Sequence, residues 1–76
     1  MDTELEQSLP FVKAIAKRYS ANETELEELI TAGAIGLMEA EKQFDKESGF
    51  RFISFAVWFI RRSIESHLKR NGRFLQ

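Results

Sequence analysis

Residues 50–70, FRFISFAVWFIRRSIESHLKR, combine a regular apolar pattern with a second pattern that is aromatic and basic. At about 100° per residue, one helical stripe collects the apolar side chains Ile53, Ala56, Val57, Ile60, Ile64 and Leu68. Such a stripe is typical of the side of a helix that faces a core. Ser54 is a favourable N-cap and Asn71-Gly72 a favourable stop, so the spacing predicts a helix over residues 54–69.

The opposite side of this helix, roughly 180° away, has a different composition. It carries Phe55, Trp58, Phe59, Arg62, Ser66 and Lys69. Aromatic rings stack on unpaired nucleobases and cations hold phosphates, so this side favours nucleic-acid binding. Two other interpretations stay open, a groove for a protein partner and a plain core position beneath another element. A chain of 76 residues, however, leaves little else to cover three large rings.

An earlier helix is predicted over residues 4–19. Its apolar stripe consists of Leu5, Leu9, Val12, Ile15, Ala16 and Tyr19. Pro10 interrupts this segment. Either Pro10 kinks the helix, or the helix proper begins near Leu9 with the proline in its first turn, where a missing N–H costs least.

A middle helix is predicted over residues 24–43. The apolar residues that share one side of it are Leu26, Leu29, Ile30, Gly33, Leu37, Ala40 and Phe44. Because a glycine inside a helix costs on the order of 1 kcal/mol, Gly33 in this stripe predicts a close approach of a second helix. Ile35 and Met38 are apolar residues on the side that should face water.

Two polar breaks separate the three helices. At the first break, Asn22 with Glu25 and Thr24 with Glu27 both have the spacing of an N-terminal capping pair. The second break, DKESG at residues 45–49, has turn-forming residues at both ends. No segment shows sustained strand alternation. The pattern therefore predicts an all-α fold, a compact bundle of three main helices with short connecting loops, as a single domain over residues 1–76.

The charge of the chain is divided between its two parts. Residues 1–48 hold eleven acids and five bases, a net charge of −6, whereas residues 49–76 hold one acid and six bases, a net charge of +5. Such an asymmetry indicates either two different partners, one of them anionic, or two parts that attract each other. The acids at the start of the middle helix also suit its dipole, which explains part of the split.

Several classes of protein are disfavoured by the composition. The chain contains no cysteine, no apolar run long enough to span a membrane and no apolar signal segment at its N-terminus. His67 stands alone beside an apolar stripe, and the acids of the middle helix do not converge on a pocket. We therefore predict a protein that is not an enzyme and that needs neither a metal nor another cofactor.

The sequence resembles region 2 of the bacterial sigma-70 family of RNA polymerase sigma factors. The segments that carry this resemblance are LPFVKAIAKRY (9–19), LITAGAIGLMEA (29–40), KQFD (42–45), GFRFISFAVWFIR (49–61) and RFLQ (73–76). Together they extend over nearly the whole chain. The family resemblance implies a cytoplasmic helical module that binds the RNA polymerase core and opens promoter DNA.

The resemblance also implies roles for individual residues. The middle helix would dock on the clamp helices of the β′ subunit of the polymerase through Glu28, Thr31, Ala32, Ile35 and Met38. The last helix and its entry would capture the non-template single strand of the minus-ten element through Arg51, Phe55, Trp58, Phe59, Arg61, Arg62, Glu65 and Ser66. In this sequence, Arg62 and Glu65 stand where the family usually has Gln-type and Thr-type residues that contact the upstream base pair of the element.

Two alternatives to this function remain open at the level of sequence. In the first, the domain is only a protein-interaction module that docks on polymerase or on an anti-sigma partner without useful DNA binding of its own. The exposed apolar residues Ile35 and Met38 and the acidic first part of the chain favour it. In the second, the chain is an unrelated three-helix bundle with a fortuitous match.

Overall fold

Three α-helices joined by two short loops make up the computed structural model, which describes residues 3–72. They are α1 (Thr3–Tyr19), α2 (Glu23–Gln43) and α3 (Phe52–Arg70). The predicted all-α architecture is confirmed, and residues 3–72 contain no strand. The segment at residues 73–76, which contributed to the family resemblance, lies outside the described residues.

Helix α1 runs without a break through Pro10. The alternative in which the helix begins near Leu9 is therefore wrong. Proline has no backbone N–H, so Pro10 cannot donate the usual helical hydrogen bond to the Glu6 carbonyl. Both residues are exposed, and water can therefore bond this carbonyl instead. The core-facing side of α1 also differs from the prediction, because Leu9 is exposed and Ser8 is buried instead. Ser8 lies one helical turn before the buried Val12, whereas Leu9 lies about 100° further round.

Helix α2 begins with a capping pair. The side chain of Asn22 accepts a hydrogen bond from the Glu25 backbone N–H at 2.8 Å. In return, Glu25 Oε1 accepts one from the backbone N–H of Ala21 at 2.6 Å. Asn22 with Glu25 is therefore the pair that caps this helix, and α2 starts at Glu23, one residue earlier than predicted. A cap of this kind contributes about 1 kcal/mol to stability.

Helix α3 begins earlier than the sequence predicted. Its first residue is Phe52 and its N-cap is Arg51, which makes no capping side-chain bond, so the assignment of Ser54 as the cap is wrong. The physical reason lies in the aromatic contact between Phe52 and Phe44, whose ring centroids are 5.3 Å apart. Burying the Phe52 ring against the end of α2 draws this residue into the first turn of α3.

The C-terminal end of α3 is the one predicted. Asn71 is the C-cap, and its backbone N–H bonds to carbonyls of the last turn, including that of His67 at 3.2 Å. Gly72 follows with φ +73°, a left-handed conformation that glycine adopts without strain.

The core lies along the contact between α2 and α3, the most extensive of the three helix pairs, and α1 closes it. Its buried apolar members are Val12, Ala16, Leu29, Ala32, Leu37, Ala40, Phe52, Ala56, Ile60, Ile64 and Leu68. The predicted stripes of α2 and α3 thus face each other. Ile53 and Val57, at the edge of the α3 stripe, are only half-buried.

Two glycines of α2 allow this close packing. The predicted close approach at Gly33 is confirmed, because an added Cβ there would lie 2.8 Å from Val12 Cγ1. The approach at Gly36, which lay outside the predicted stripe, is closer still. A Cβ at Gly36 would lie 2.5 Å from the backbone oxygen of Phe59 and 2.9 Å from Ser63 Cβ. Ser63 Oγ also donates a hydrogen bond to the Ala32 carbonyl at 2.6 Å, which joins the two helices directly.

We expect Gly36→Ala to lower the free energy of unfolding by about 1–3 kcal/mol, because the new methyl group meets backbone atoms that cannot move without displacing α3. Gly33→Ala is the matched control. Its methyl group meets side-chain atoms of Val12, Ile60 and Ile64 and no backbone atom, so the contact can be relieved without displacing the α3 backbone. Urea denaturation of both variants measures the difference. A loss of stability at Gly33→Ala equal to or larger than that at Gly36→Ala would contradict this account.

Candidate nucleic-acid interface

Aromatic side chains form a continuous row from the end of α2 along α3. Phe44 contacts Phe55 at 5.4 Å between ring centroids, Phe55 contacts Phe59 at 4.9 Å, and Phe59 contacts Trp58 at 5.5 Å. Phe55 and Phe59 are half-buried and pack against the core. Trp58, in contrast, is 58% exposed. The row therefore anchors its inner rings in the core and presents the indole to solvent.

One face of Trp58 is already occupied by a cation. The Arg62 guanidinium carbon lies 4.6 Å from the centre of the indole ring, one turn further along α3. A cation–π contact of this kind stabilises by about 0.5–1 kcal/mol at an exposed site. It also restricts the orientation of the indole. A flat ligand that stacks on Trp58 must therefore either displace Arg62 or use the opposite face of the indole.

A hydrogen-bonded group beside Trp58 ties α1 to α3. The Tyr19 hydroxyl donates to Glu65 Oε2 at 2.6 Å, and Tyr19 and Arg61 line the same small cavity between α1 and α3. Burial and the bond to Glu65 raise the pKa of Tyr19 above its ordinary value, while Arg61 acts against them. The bond to Tyr19 is in turn the main reason that the pKa of Arg61 is raised. Glu65, one of the predicted DNA-contacting residues, is therefore engaged within the protein.

Four of the predicted DNA-binding residues surround one surface hollow of about 360 Å³ on α3. The hollow is lined by Ser54, Val57, Trp58, Arg61, Arg62 and Glu65. The other predicted residues lie elsewhere. Phe55 and Phe59 support Trp58 from the core side, Ser66 lies a turn beyond Arg62, and the exposed Arg51 precedes α3 by one residue. The structure thus brings together an exposed indole and two cations.

A second groove, of about 490 Å³, runs between α2 and α3. Its α2 side is formed by Glu28, Thr31, Ala32, Ile35, Gly36, Glu39 and Gln43, and its α3 side by Phe59, Arg62, Ser63, Ser66, His67 and Arg70. Glu28 Oε1 and His67 Nε2 come within 3.4 Å of each other across it. Most of the residues predicted to dock on polymerase therefore border the same groove as Phe59, Arg62 and Ser66.

The predicted docking residues differ in how far they are exposed. Ile35 is 54% and Met38 51% exposed, as their position opposite the apolar stripe predicted. Met38 lies outside the lining of the groove, on the outer side of α2. Ala32 is buried, and its carbonyl accepts a hydrogen bond from Ser63 Oγ. It therefore forms part of the floor of the groove.

Two exposed aromatic residues were missed by the site prediction. Phe50 is 72% exposed in the loop before α3, and Phe11 is exposed on α1. The signal for Phe50 in the sequence was its position directly after Gly49 in the loop between α2 and α3. In the structure Gly49 has φ +88°, a left-handed conformation that glycine adopts without strain. Phe11 adjoins Pro10 and gave no such signal.

The comparisons with known proteins identify the family. The family model described as Sigma-70 region 2 matches residues 5–74. The chain belongs to the sigma-70 region 2 family. Among the relatives of this sigma-70 region 2 domain are the RNA polymerase sigma factor SigA of Lactococcus lactis subsp. cremoris, 38% identical over 71 residues, and that of Nostoc sp., 32% identical over 75 residues.

The matches cover nearly all of the sigma-70 region 2 domain but a small part of each relative. They extend over 93% of this chain and 20% of the Lactococcus protein, and over 99% of this chain and 19% of the Nostoc protein. The chain thus spans about a fifth of the length of these curated relatives. No solved structure matches it significantly.

Two further properties of the domain concern the described part of the chain. None of its helices is both long enough and apolar enough to cross a membrane. Within residues 3–72, no three histidine, aspartate or glutamate side chains gather in a way that could hold a metal ion.

We expect Tyr19→Phe to lower the free energy of unfolding at pH 7 by about 1–2 kcal/mol, because Glu65 loses the hydroxyl that bonds it across the helices. The difference in the free energy of unfolding between Tyr19→Phe and wild type should become smaller as the pH increases. The folded protein holds the Tyr19 proton more tightly than the unfolded chain, whose tyrosine has a pKa of about 10. The stability that Tyr19 contributes is therefore fully present below about pH 10 and is lost as the pH rises toward its folded pKa.

Urea denaturation of both proteins at pH 7 and above about pH 10 measures this effect. Tyr19 is the only tyrosine in the chain, so no other tyrosine contributes to the difference. If the two proteins differ by the same free energy of unfolding at pH 7 and above about pH 10, the proposed role of the hydroxyl is contradicted.

Proposed function

We propose that this domain acts in transcription initiation as a non-enzymatic binding module that captures the non-template single strand of the promoter minus-ten element on α3. The observation that carries the proposal is Trp58, an indole that is 58% exposed and has the Arg62 guanidinium against its ring. Stacking of a base on such a ring contributes about 1–3 kcal/mol. Arg61 and Arg62, which border the same hollow, supply cations for the strand backbone.

Promoter melting follows from a difference in binding energy. A base taken out of the duplex loses its pairing and stacking, at a cost of a few kcal/mol. A protein that offers a stacking surface and phosphate contacts only to the unpaired strand shifts the equilibrium toward the open form by that binding energy. The row from Trp58 through Phe59 to Phe55 supports this role, because the inner rings are packed into the core and hold the outer one in place.

The charge of the whole chain limits binding to bulk DNA. Its net charge is −1. A nearly neutral protein gains little binding free energy from the phosphate backbone of a duplex. This electrostatic contribution depends on the number of cationic side chains that contact phosphates. Selectivity for a presented single strand is therefore expected to come from Trp58 and its neighbours.

The outer side of α2 supports a second interaction, docking on the clamp helices of the β′ subunit of RNA polymerase. Ile35 and Met38 are apolar and half-exposed on a side that otherwise faces water. Glu28 and Thr31 lie beside Ile35 along the groove and offer a charge and a hydroxyl at its edge. An apolar centre with a polar rim is the usual composition of a protein–protein interface. The same surface is suited to an anti-sigma partner that competes with polymerase.

We expect Trp58→Ala to weaken binding of a fluorescein-labelled non-template minus-ten single strand by roughly 5- to 150-fold, which corresponds to the loss of one stacked base. Fluorescence anisotropy measures the affinity. Met38→Ala, which also removes a half-exposed apolar side chain but on α2, is the control and should bind as wild type does. Trp58 is the only tryptophan, so quenching of its emission by the strand is a second readout. Equal affinity of Trp58→Ala and wild type would refute the stacking proposal.

We expect Ile35→Glu to reduce binding to the isolated β′ clamp helices at least fivefold, because it places a charge in the apolar centre of the docking surface. Ala14→Glu adds the same charge at an exposed position of α1 and serves as the matched control. Titration calorimetry with the clamp-helix fragment gives both affinities. Ile35→Glu should still bind the minus-ten strand, so the two interactions are separable. Unchanged clamp-helix binding by this variant would remove the α2 surface from the proposal.

A further inference from the structure

Glu65 has several possible partners on its own helix. Arg61 and Arg62 precede it by four and three residues, and Lys69 follows it by four. These are the spacings at which opposite charges pair on the surface of a helix. In the described part of the chain, however, no ion pair joins Glu65 to any of these cations. Its carboxylate instead accepts a hydrogen bond from the hydroxyl of Tyr19, on α1, at 2.6 Å.

The bond to Tyr19 decides in which direction the Glu65 side chain turns. Around the axis of α3, Arg61 lies about 40° from Glu65 on one side. Arg62 lies about 60° from Glu65 on the other side, and Lys69 lies about 40° away on that same side. Arg61 is on the side that faces α1, since it lines the small cavity between the two helices. The hydrogen bond from Tyr19 therefore turns the carboxylate toward α1 and away from Arg62.

Arg62, which has no acid as its partner, contacts Trp58 instead. Its guanidinium carbon lies 4.6 Å from the centre of the indole ring. An exposed ion pair between Arg62 and Glu65 would be of the same order of strength as this cation–π contact. A carboxylate released by Tyr19 would therefore compete with the indole for Arg62, and it would also offset the positive charge of this arginine.

We propose that Tyr19 is a positioning residue for strand capture, which acts by holding Glu65 toward α1 and so leaves Arg62 against the indole of Trp58. The indole is thereby restricted in orientation before a base arrives, so less conformational freedom is lost when the base stacks. Tyr19 acts through Glu65 and needs no contact with the strand. The aromatic and basic pattern of α3 does not indicate this role, because the hydroxyl comes from α1. The inference rests on the proposed capture of a single strand.

A double-mutant cycle with the labelled minus-ten strand tests this role. We expect Tyr19→Phe to weaken strand binding about two- to fivefold, because the released Glu65 carboxylate competes for Arg62. In a Glu65→Gln background the same change should leave the affinity unaltered, since it releases no carboxylate. Anisotropy gives the four affinities under conditions in which circular dichroism shows all four proteins folded. An equal loss in both backgrounds, as a role in helix packing alone would give, or no loss in either, would overturn the inference.

Glu65→Asp tests the same contact without a change at Tyr19. It keeps the negative charge but shortens the side chain by one methylene group, which withdraws the carboxylate from the hydroxyl. We expect this variant to lose strand affinity by a factor similar to that of Tyr19→Phe. Wild-type affinity in Glu65→Asp would contradict the proposed role of the contact.

A measurement on the free protein separates this inference from the proposed function. The indole ring current shifts the side-chain NMR resonances of Arg62 in wild type, and Trp58→Ala supplies the unshifted reference. In Tyr19→Phe these resonances should move toward the reference, and adding Glu65→Gln should restore them. This result in a wild-type protein that fails to bind the strand would support the positioning role and refute the proposed function. Strand binding that depends on Trp58, with Arg62 resonances unchanged in Tyr19→Phe, would refute the positioning role and leave the function standing.

Discussion

The close contact of α2 with α3 at Gly36 is the constraint on which the rest of the structure depends. Because Gly36 has no side chain, the backbone of Phe59 approaches within 2.5 Å of where a Cβ would stand, and Ser63 can bond the Ala32 carbonyl. This approach lets the apolar stripes of α2 and α3 pack against each other in one core. It also sets the rotation of α3 about its axis, and with it the direction in which Trp58, Arg61 and Arg62 point.

The same contact links the two proposed interaction surfaces. The groove between α2 and α3 is bordered on one side by Ile35 and Glu28 and on the other by Phe59 and Arg62. A partner that docks on α2 therefore lies beside residues that support the stacking tryptophan. The proposed docking surface and the proposed strand-binding surface thus share the contact between α2 and α3.

Sequence reasoning succeeded where the pattern is local and failed where packing decides. Asn22 and Glu25 cap α2 through hydrogen bonds within a single turn. The sequence predicted this pair as a cap, with Thr24 and Glu27 as the alternative. Ser54 looks like a cap by the same local criterion, yet the contact of Phe52 with the end of α2 starts the helix before it. The candidate site was found because aromatic and basic residues repeat with the helical period on one side of α3. Their unequal exposure was not predictable, since it depends on what α2 covers.

The sequence by itself determined that the chain forms three helices, where the apolar stripes of α2 and α3 lie, and that α3 carries a second side that is aromatic and basic. Helical periodicity and capping are properties of neighbouring residues, so they can be derived without coordinates. Only the tertiary structure decided that Tyr19 bonds Glu65, 46 residues away, and that Arg18 and Arg61 line one small cavity between α1 and α3. Such pairings depend on how the helices are rotated and how closely they approach, and these follow from the packing of the whole core.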